Sequence, residues 1–141
     1  MKKTLLFLTC AIALIFAACG KSDKEEQNSY KFDNEKAGQI IQKYNGDFSN
    51  ISPEDVEVIA TQTVAYFDDW TQLENDLKSE TDQAKSEETR NKFDEKHNNA
   101  DQIVAICEQL ATAGALSEEK AKAVKEAENK SRVSRGLEPK E

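Results

Sequence analysis

The sequence is poor in histidine, glycine, proline and positive charge. One histidine, five glycines and two prolines are spread over 141 residues. From what remains, no Gly-rich phosphate loop, zinc-ligand spacing, serine triad or glycosidase pair of carboxylates can be assembled. No segment repeats, and no stretch alternates as a half-buried strand does. No apolar run reaches the roughly 20 residues that a membrane-spanning helix needs. Lysine and arginine number 19 against 27 aspartates and glutamates, a formal charge of −8. An acidic surface repels nucleic-acid phosphates and gives no polybasic hold on anionic lipid, so a nucleic-acid partner is not expected. It keeps a domain soluble, and it would suit a basic partner.

What is present starts with a leader. Met1-Lys2-Lys3 is positive, and an apolar run follows from Leu5 to Ala18, interrupted by Thr9. That is the length of a signal-peptide core. It ends in Phe16-Ala17-Ala18-Cys19-Gly20, where the small residues let a protease thread the backbone. This stretch resembles the lipobox of bacterial lipoproteins. The resemblance implies that the Cys19 thiol is diacylated, that the leader is cut before it, and that Cys19 becomes the first residue of the mature chain. Each buried methylene contributes about 0.8 kcal/mol, so two or three palmitate-type chains hold where one would exchange. The other reading is an ordinary secretory leader cut near Ala18, with Cys19 a plain thiol. Gly20-Lys21-Ser22-Asp23-Lys24-Glu25-Glu26 resembles the acidic segment that follows the cysteine in Bacteroidetes lipoproteins and directs them to the outer face of the outer membrane. Asp after the cysteine signals inner-membrane retention in enterobacteria, and here the residue is Gly20. With Cys10 lost in the leader and Cys19 acylated, Cys107 has no partner for an internal disulfide.

The chain therefore divides into a leader at 1–18, a lipidated cysteine and flexible acidic tether at 19–32, a helical domain at 33–135, and a frayed C-terminus at 136–141. The tether would average roughly 20 Å end to end. Asp33 is a good N-cap for a first helix, with Ala37, Ile40, Ile41, Tyr44 and Phe48 at helical spacing and Asn45-Gly46-Asp47 as its stop. Ser52-Pro53 opens a second helix, with Asp55 at the capping-box position and Ile51 and Val56 as a hydrophobic staple. Its stripe is Val56, Ile59, Ala60, Thr63, Phe67, Trp70, Leu73 and Leu77. The helical period overrides the strand propensity of Thr61 to Phe67. From Lys78 to Asn91 only Ala84 is apolar, with no glycine or proline. A turn capped by Ser79, Thr81, Asp82 or Ser86 and one uninterrupted helix are both compatible with that. A third helix carries Phe93, His97, Ala100, Ile103, Val104, Cys107, Leu110 and Ala111 and stops at Gly114. Ser117 caps a fourth, whose thin stripe of Ala121, Val124 and Ala127 implies light packing, closed by Gly136 and Pro139. The expected fold is all-α, a small antiparallel bundle of three to four helices. It is similar to the many small all-helical lipoproteins of the Bacteroidetes, a pattern spanning residues 33 to 78 that implies no activity.

Candidate chemistry is thin. His97 lies on the apolar stripe one turn after Phe93, where a core-edge residue with a hydrogen-bonded tip is the expectation. Along one helix Cys107 would stand about 15 Å away, too far for a shared proton or metal. It reads as a small buried hydrophobe. In Asp68-Asp69-Trp70 the period turns Trp70 to the core and both acids to solvent. Asn45 to Asn50 has calcium-loop character, but Asn50 stands where Gly belongs and Val56 where the bidentate Glu belongs. Only a weak carbonyl-and-carboxylate cation site is left there. Glu87, Glu88, Asp94 and Glu95 with Lys85, Arg90, Lys92 and Lys96 make a mixed charged surface. No catalytic, cofactor or metal residues are assigned, and Cys19 is the one modification site. The expectation is a non-catalytic, membrane-anchored lipoprotein of the outer membrane that binds a protein partner. The alternatives are an inhibitor or immunity-type protein neutralising a basic partner, or an enzyme using His97.

Overall fold

The computed structural model describes residues 30–141. The expected leader, Cys19 and the expected tether up to residue 29 lie outside them. The described residues form five helices and no strand: α1 Asn34–Tyr44, α2 Pro53–Leu77, α3 Gln83–Lys96, α4 Ala100–Thr112 and α5 Glu118–Ser134. None of these is long and apolar enough to cross a membrane. The all-α bundle stands.

The starts are set by local hydrogen bonds. Asp33, Ser52 and Ser117 each accept the amide three residues on, as an N-cap does. Asp55 holds the capping-box position but is one methylene short of the usual Glu. The hydroxyl of Tyr44 bridges the gap: it accepts from Ser52 N at 3.1 Å and donates to Asp55 Oδ2 at 2.5 Å. Lys43 Nζ joins the same oxygen at 2.6 Å. The first helix ends at Tyr44, before Phe48, because Asn45 and Gly46 both take positive φ, 46° and 87°. Phe48 leaves the helix but still packs against the core.

Hydrogen bonds from Lys43 first, then Tyr44, hold the Asp55 carboxyl below its ordinary range. A lowered folded value means the contribution is complete above the unfolded carboxylate value, near about pH 4, and is lost as pH falls through the folded one. Thermal melts between pH 6 and 2 should therefore show a steeper acid loss for the native chain than for Asp55→Asn. Tyr44→Phe should cost about 1 kcal/mol at neutral pH. Superimposable acid limbs for the native chain and Asp55→Asn would refute this account.

The 78–91 question resolves as a turn. Asp82 is the cap, accepting from Ala84 N and Lys85 N, and α3 runs from Gln83. The expected single helix from Phe93 to Ala111 is instead broken at His97-Asn98-Asn99, with no glycine or proline there. The break is tertiary. Asn99 N donates to Asn34 Oδ1 at 3.0 Å, Asn99 Nδ2 to Asn34 O at 2.9 Å, and Asn34 Nδ2 to Asn98 Oδ1 at 2.9 Å. Those bonds hold the start of α4 against the start of α1. Gly38 lets them close, since a Cβ there would sit 3.0 Å from Asn99 Nδ2.

The long α2 is the spine on which the other four helices pack. The light packing expected of the last helix is not found. α5 lies along α2 more extensively than any other helix does, because Ala127 and Ser131 are small enough to bring the two backbones close. At residues 136–141, where fraying is expected, the chain turns back onto α5. Lys140 N donates to Asn129 Oδ1 at 2.7 Å, Asn129 Nδ2 returns to Lys140 O, and Arg132 Nε donates to Glu138 O. The compact unit runs from Lys31 to Glu141, two residues earlier than the boundary expected at 33.

Candidate functional site: a buried acid–imidazole pair holding the incoming strand

Lys31, Phe32 and Asp33 cross α2 as an extended strap just before α1. Their three amides would be unpaired in an apolar core, and two side chains of α2 accept them. Gln62 Oε1 takes Asp33 N at 2.7 Å. Asp69 takes the other two: Oδ1 and Oδ2 accept Lys31 N at 2.8 and 3.0 Å, and Oδ2 accepts Phe32 N at 2.9 Å. Gln62 and Asp69 are seven residues apart, two helical turns, so they stand in line along one face. The Phe32 ring then fills the core, leaving 7% exposure. Residues 31 and 32, expected to belong to a flexible tether, are structural parts of the domain.

The third donor to Asp69 is His97, whose Nε2 lies 3.0 Å from Oδ2. Its Nδ1 lies 2.6 Å from the carbonyl oxygen of Phe93. A carbonyl only accepts, so Nδ1 carries a hydrogen. A proton must also lie between Nε2 and Oδ2, since two lone pairs at that separation would repel. Imidazole and carboxylate thus share one proton as a unit, with side-chain exposures of 2% and 1%. Such a pair is held by its full set of hydrogen bonds, because two buried charges without them would not repay their desolvation.

Aromatic rings enclose the pair. The imidazole stacks on Phe93 at 3.9 Å and on Phe32 at 5.3 Å, with Tyr66 at 5.7 Å. Burial raises the Tyr66 hydroxyl above its ordinary value, opposed by a hydrogen bond with Trp70. Trp70 lies 4.8 Å from Phe93 on one side and 5.2 Å from the Arg135 guanidinium on the other. The outer end of the strap is tied by Lys31 Nζ to Asp68 at 3.1 Å.

The expectation for Asp68-Asp69-Trp70 is thereby corrected. Asp69 faces inward and is fully buried, Asp68 is partly exposed, and Trp70 is only half-buried. The helical stripe alone misses this because α2 is packed on more than one side. Ile59, Gln62, Tyr66, Asp69 and Leu73 follow spacings of three and four beside the main stripe, and that second series was the available signal. The expectation for His97 holds: it is buried with its polar tip bonded. The imidazole has both nitrogens engaged and rings on both faces, so reaching a substrate would require it to leave this pocket.

His97 and Cys107 lie on different helices, so a distance along one helix does not apply. They meet α2 at different points: His97 at Asp69, and Cys107 beside Thr63 and Phe67. Cys107 is buried, and that burial pushes its thiol up from the ordinary value. Asp47 bonds Ser49 N and Oγ at 3.0 and 2.6 Å, closing its loop on itself. Among the described residues no group of three or more His, Cys, Asp or Glu side chains is placed to hold a metal. The mixed charges on α3 pair with neighbours, Arg90 with Glu74 at 2.9 Å and Lys92 with Glu88 at 3.0 Å.

Fold and site together define an all-helical bundle whose N-terminal strap is bolted to its central helix. Comparison with protein-family models, with curated proteins and with solved structures returned no match.

Proposed function

We propose that the chain is a lipid-anchored helical lipoprotein of the bacterial envelope, a non-catalytic module that presents its bundle to a protein partner at the outer membrane. The observation that carries this reading is the register at the N-terminus: positive leader, apolar core, Ala17-Ala18, then Cys19 and a charged segment. The strap supports it. A domain held from its N-terminal side transmits any pull to Lys31, and there the backbone is fastened by Asp69 and Gln62 rather than left to fray. About a dozen residues between Cys19 and that clamp stand the bundle off the bilayer.

Mass spectrometry of the mature N-terminus should find an acylated Cys19, and Cys19→Ser should move the protein from the membrane fraction to the soluble one. An unmodified N-terminus elsewhere, with membrane association kept in the serine variant, would overturn the anchor. Cross-linked pull-down from intact cells, beside protease shaving, identifies the partner and the face of the membrane. The excess of acid favours a second reading, capture of a basic protein as an inhibitor or immunity factor. Affinity for such a partner should then fall steeply with salt, and a salt-independent affinity rejects it.

A further inference from the structure

A second feature lies away from the strap, in the seam where α5 crosses α2 and α4. Its floor is Thr63, Phe67 and Cys107, all buried, and its walls are Val104, Leu116 and Val124. The cleft exists because the facing positions on α4 and α5 carry Ala111 and Ala121, too small to fill the space between the helices. This half-open cleft has a volume of about 170 Å³. An engineered apolar cavity of roughly 150 Å³ is enough to take a benzene ring.

The chemistry of the lining narrows the occupant. The polar atoms of the floor are already satisfied. Thr63 Oγ1 donates its hydrogen to Ile59 O at 2.8 Å, and the Cys107 thiol beside it is only a weak donor and acceptor. The floor therefore asks for no polar group and would strip one of its water. Two of its members favour an aromatic ring over a saturated one: the Phe67 ring by edge or offset stacking, and the Cys107 sulfur by contact with a π-system. The charges stand at the mouth, where Glu108 and Glu128 are both paired with Lys140. Lys125 also lines the mouth, so two cations face two carboxylates and no net charge is left there to recruit an ion.

We propose that this cleft is a binding site for a small uncharged ligand carrying a single aromatic ring, seated on Phe67 and Cys107 between α2, α4 and α5. The site is independent of the anchor and of the strap.

Methyl NMR of the full-length chain titrated with toluene tests it. The Val104, Leu116 and Val124 methyls should shift and saturate, with a Kd of about 1 mM or tighter, while Ile40, outside the lining, stays in place. Cyclohexane of similar bulk should bind at least about threefold more weakly. Ala121→Leu fills the cleft from the α5 side and should abolish the shifts without lowering Tm. The titration of the native chain decides the matter even if that variant folds poorly. Absence of saturable shifts up to the solubility of toluene, or shifts spread equally over Ile40, overturns the site. Equal affinity for cyclohexane overturns the preference for an aromatic ring.

Discussion

Asp69→Ala is expected to be the most damaging single substitution in the domain. It deletes the acceptor for Lys31 N and Phe32 N and the partner of His97 in one step. Removing one member of a buried, hydrogen-bonded pair costs roughly 3–5 kcal/mol, because the groups left behind stay desolvated without partners. For a domain of this size that corresponds to a fall in Tm on the order of 10 °C or more. Amide hydrogen exchange supplies the discriminating readout. Protection at Lys31 and Phe32 should vanish in the variant even at temperatures where α4 and α5 remain folded. Asp69→Asn keeps the shape but points an amide N–H at a donor, and it should rescue only part of the loss. A variant within about 1 kcal/mol of the native chain, with the two amides still protected, would sink the clamp.

Phe93→Ala is expected to come next, and its effect should be local. Phe93 is the one buried residue of α3, whose other positions are polar or charged apart from Ala84. It stacks on His97 at 3.9 Å and packs at a tilt against Trp70 at 4.8 Å. Truncating a buried phenylalanine costs roughly 3–5 kcal/mol. Phe93 is the one core anchor of α3, so the loss should appear first as opening of residues 83–96. Hydrogen exchange should show those amides deprotected while the centre of α2 stays slow. Uniform loss of protection across all five helices would mean that α3 does not open separately.

These two residues also show where reading the chain alone reaches its limit. Phe93 was legible as core because apolar spacing marks it. Its helix boundary was not, since nothing at His97-Asn98-Asn99 breaks a helix by itself. Asn34, 65 residues earlier in the chain than Asn99, supplies the competing hydrogen bonds. The helical period turns Asp69 to solvent because Trp70 takes the main stripe, and burying an ionised carboxylate is costly. That cost is removed only when the strap and His97 arrive together. The last helix was underrated for a related reason. Its stripe of Ala121, Val124 and Ala127 holds little apolar area, and sequence does not reveal that small side chains let two backbones approach closely.

What the sequence by itself determined was local. Helix starts at Asp33, Ser52 and Ser117 and the stop at Asn45-Gly46 depend on bonds within one turn and on φ above zero. The apolar stripes depend on a period of 3.6 residues. The tertiary structure alone decided which acid goes inside, where the third expected helix divides, and how the strap at Lys31–Asp33 is held. Each of those rests on hydrogen bonds between groups 28 to 65 residues apart. The energy of such a bond depends on what excludes water around it, and no local pattern encodes that.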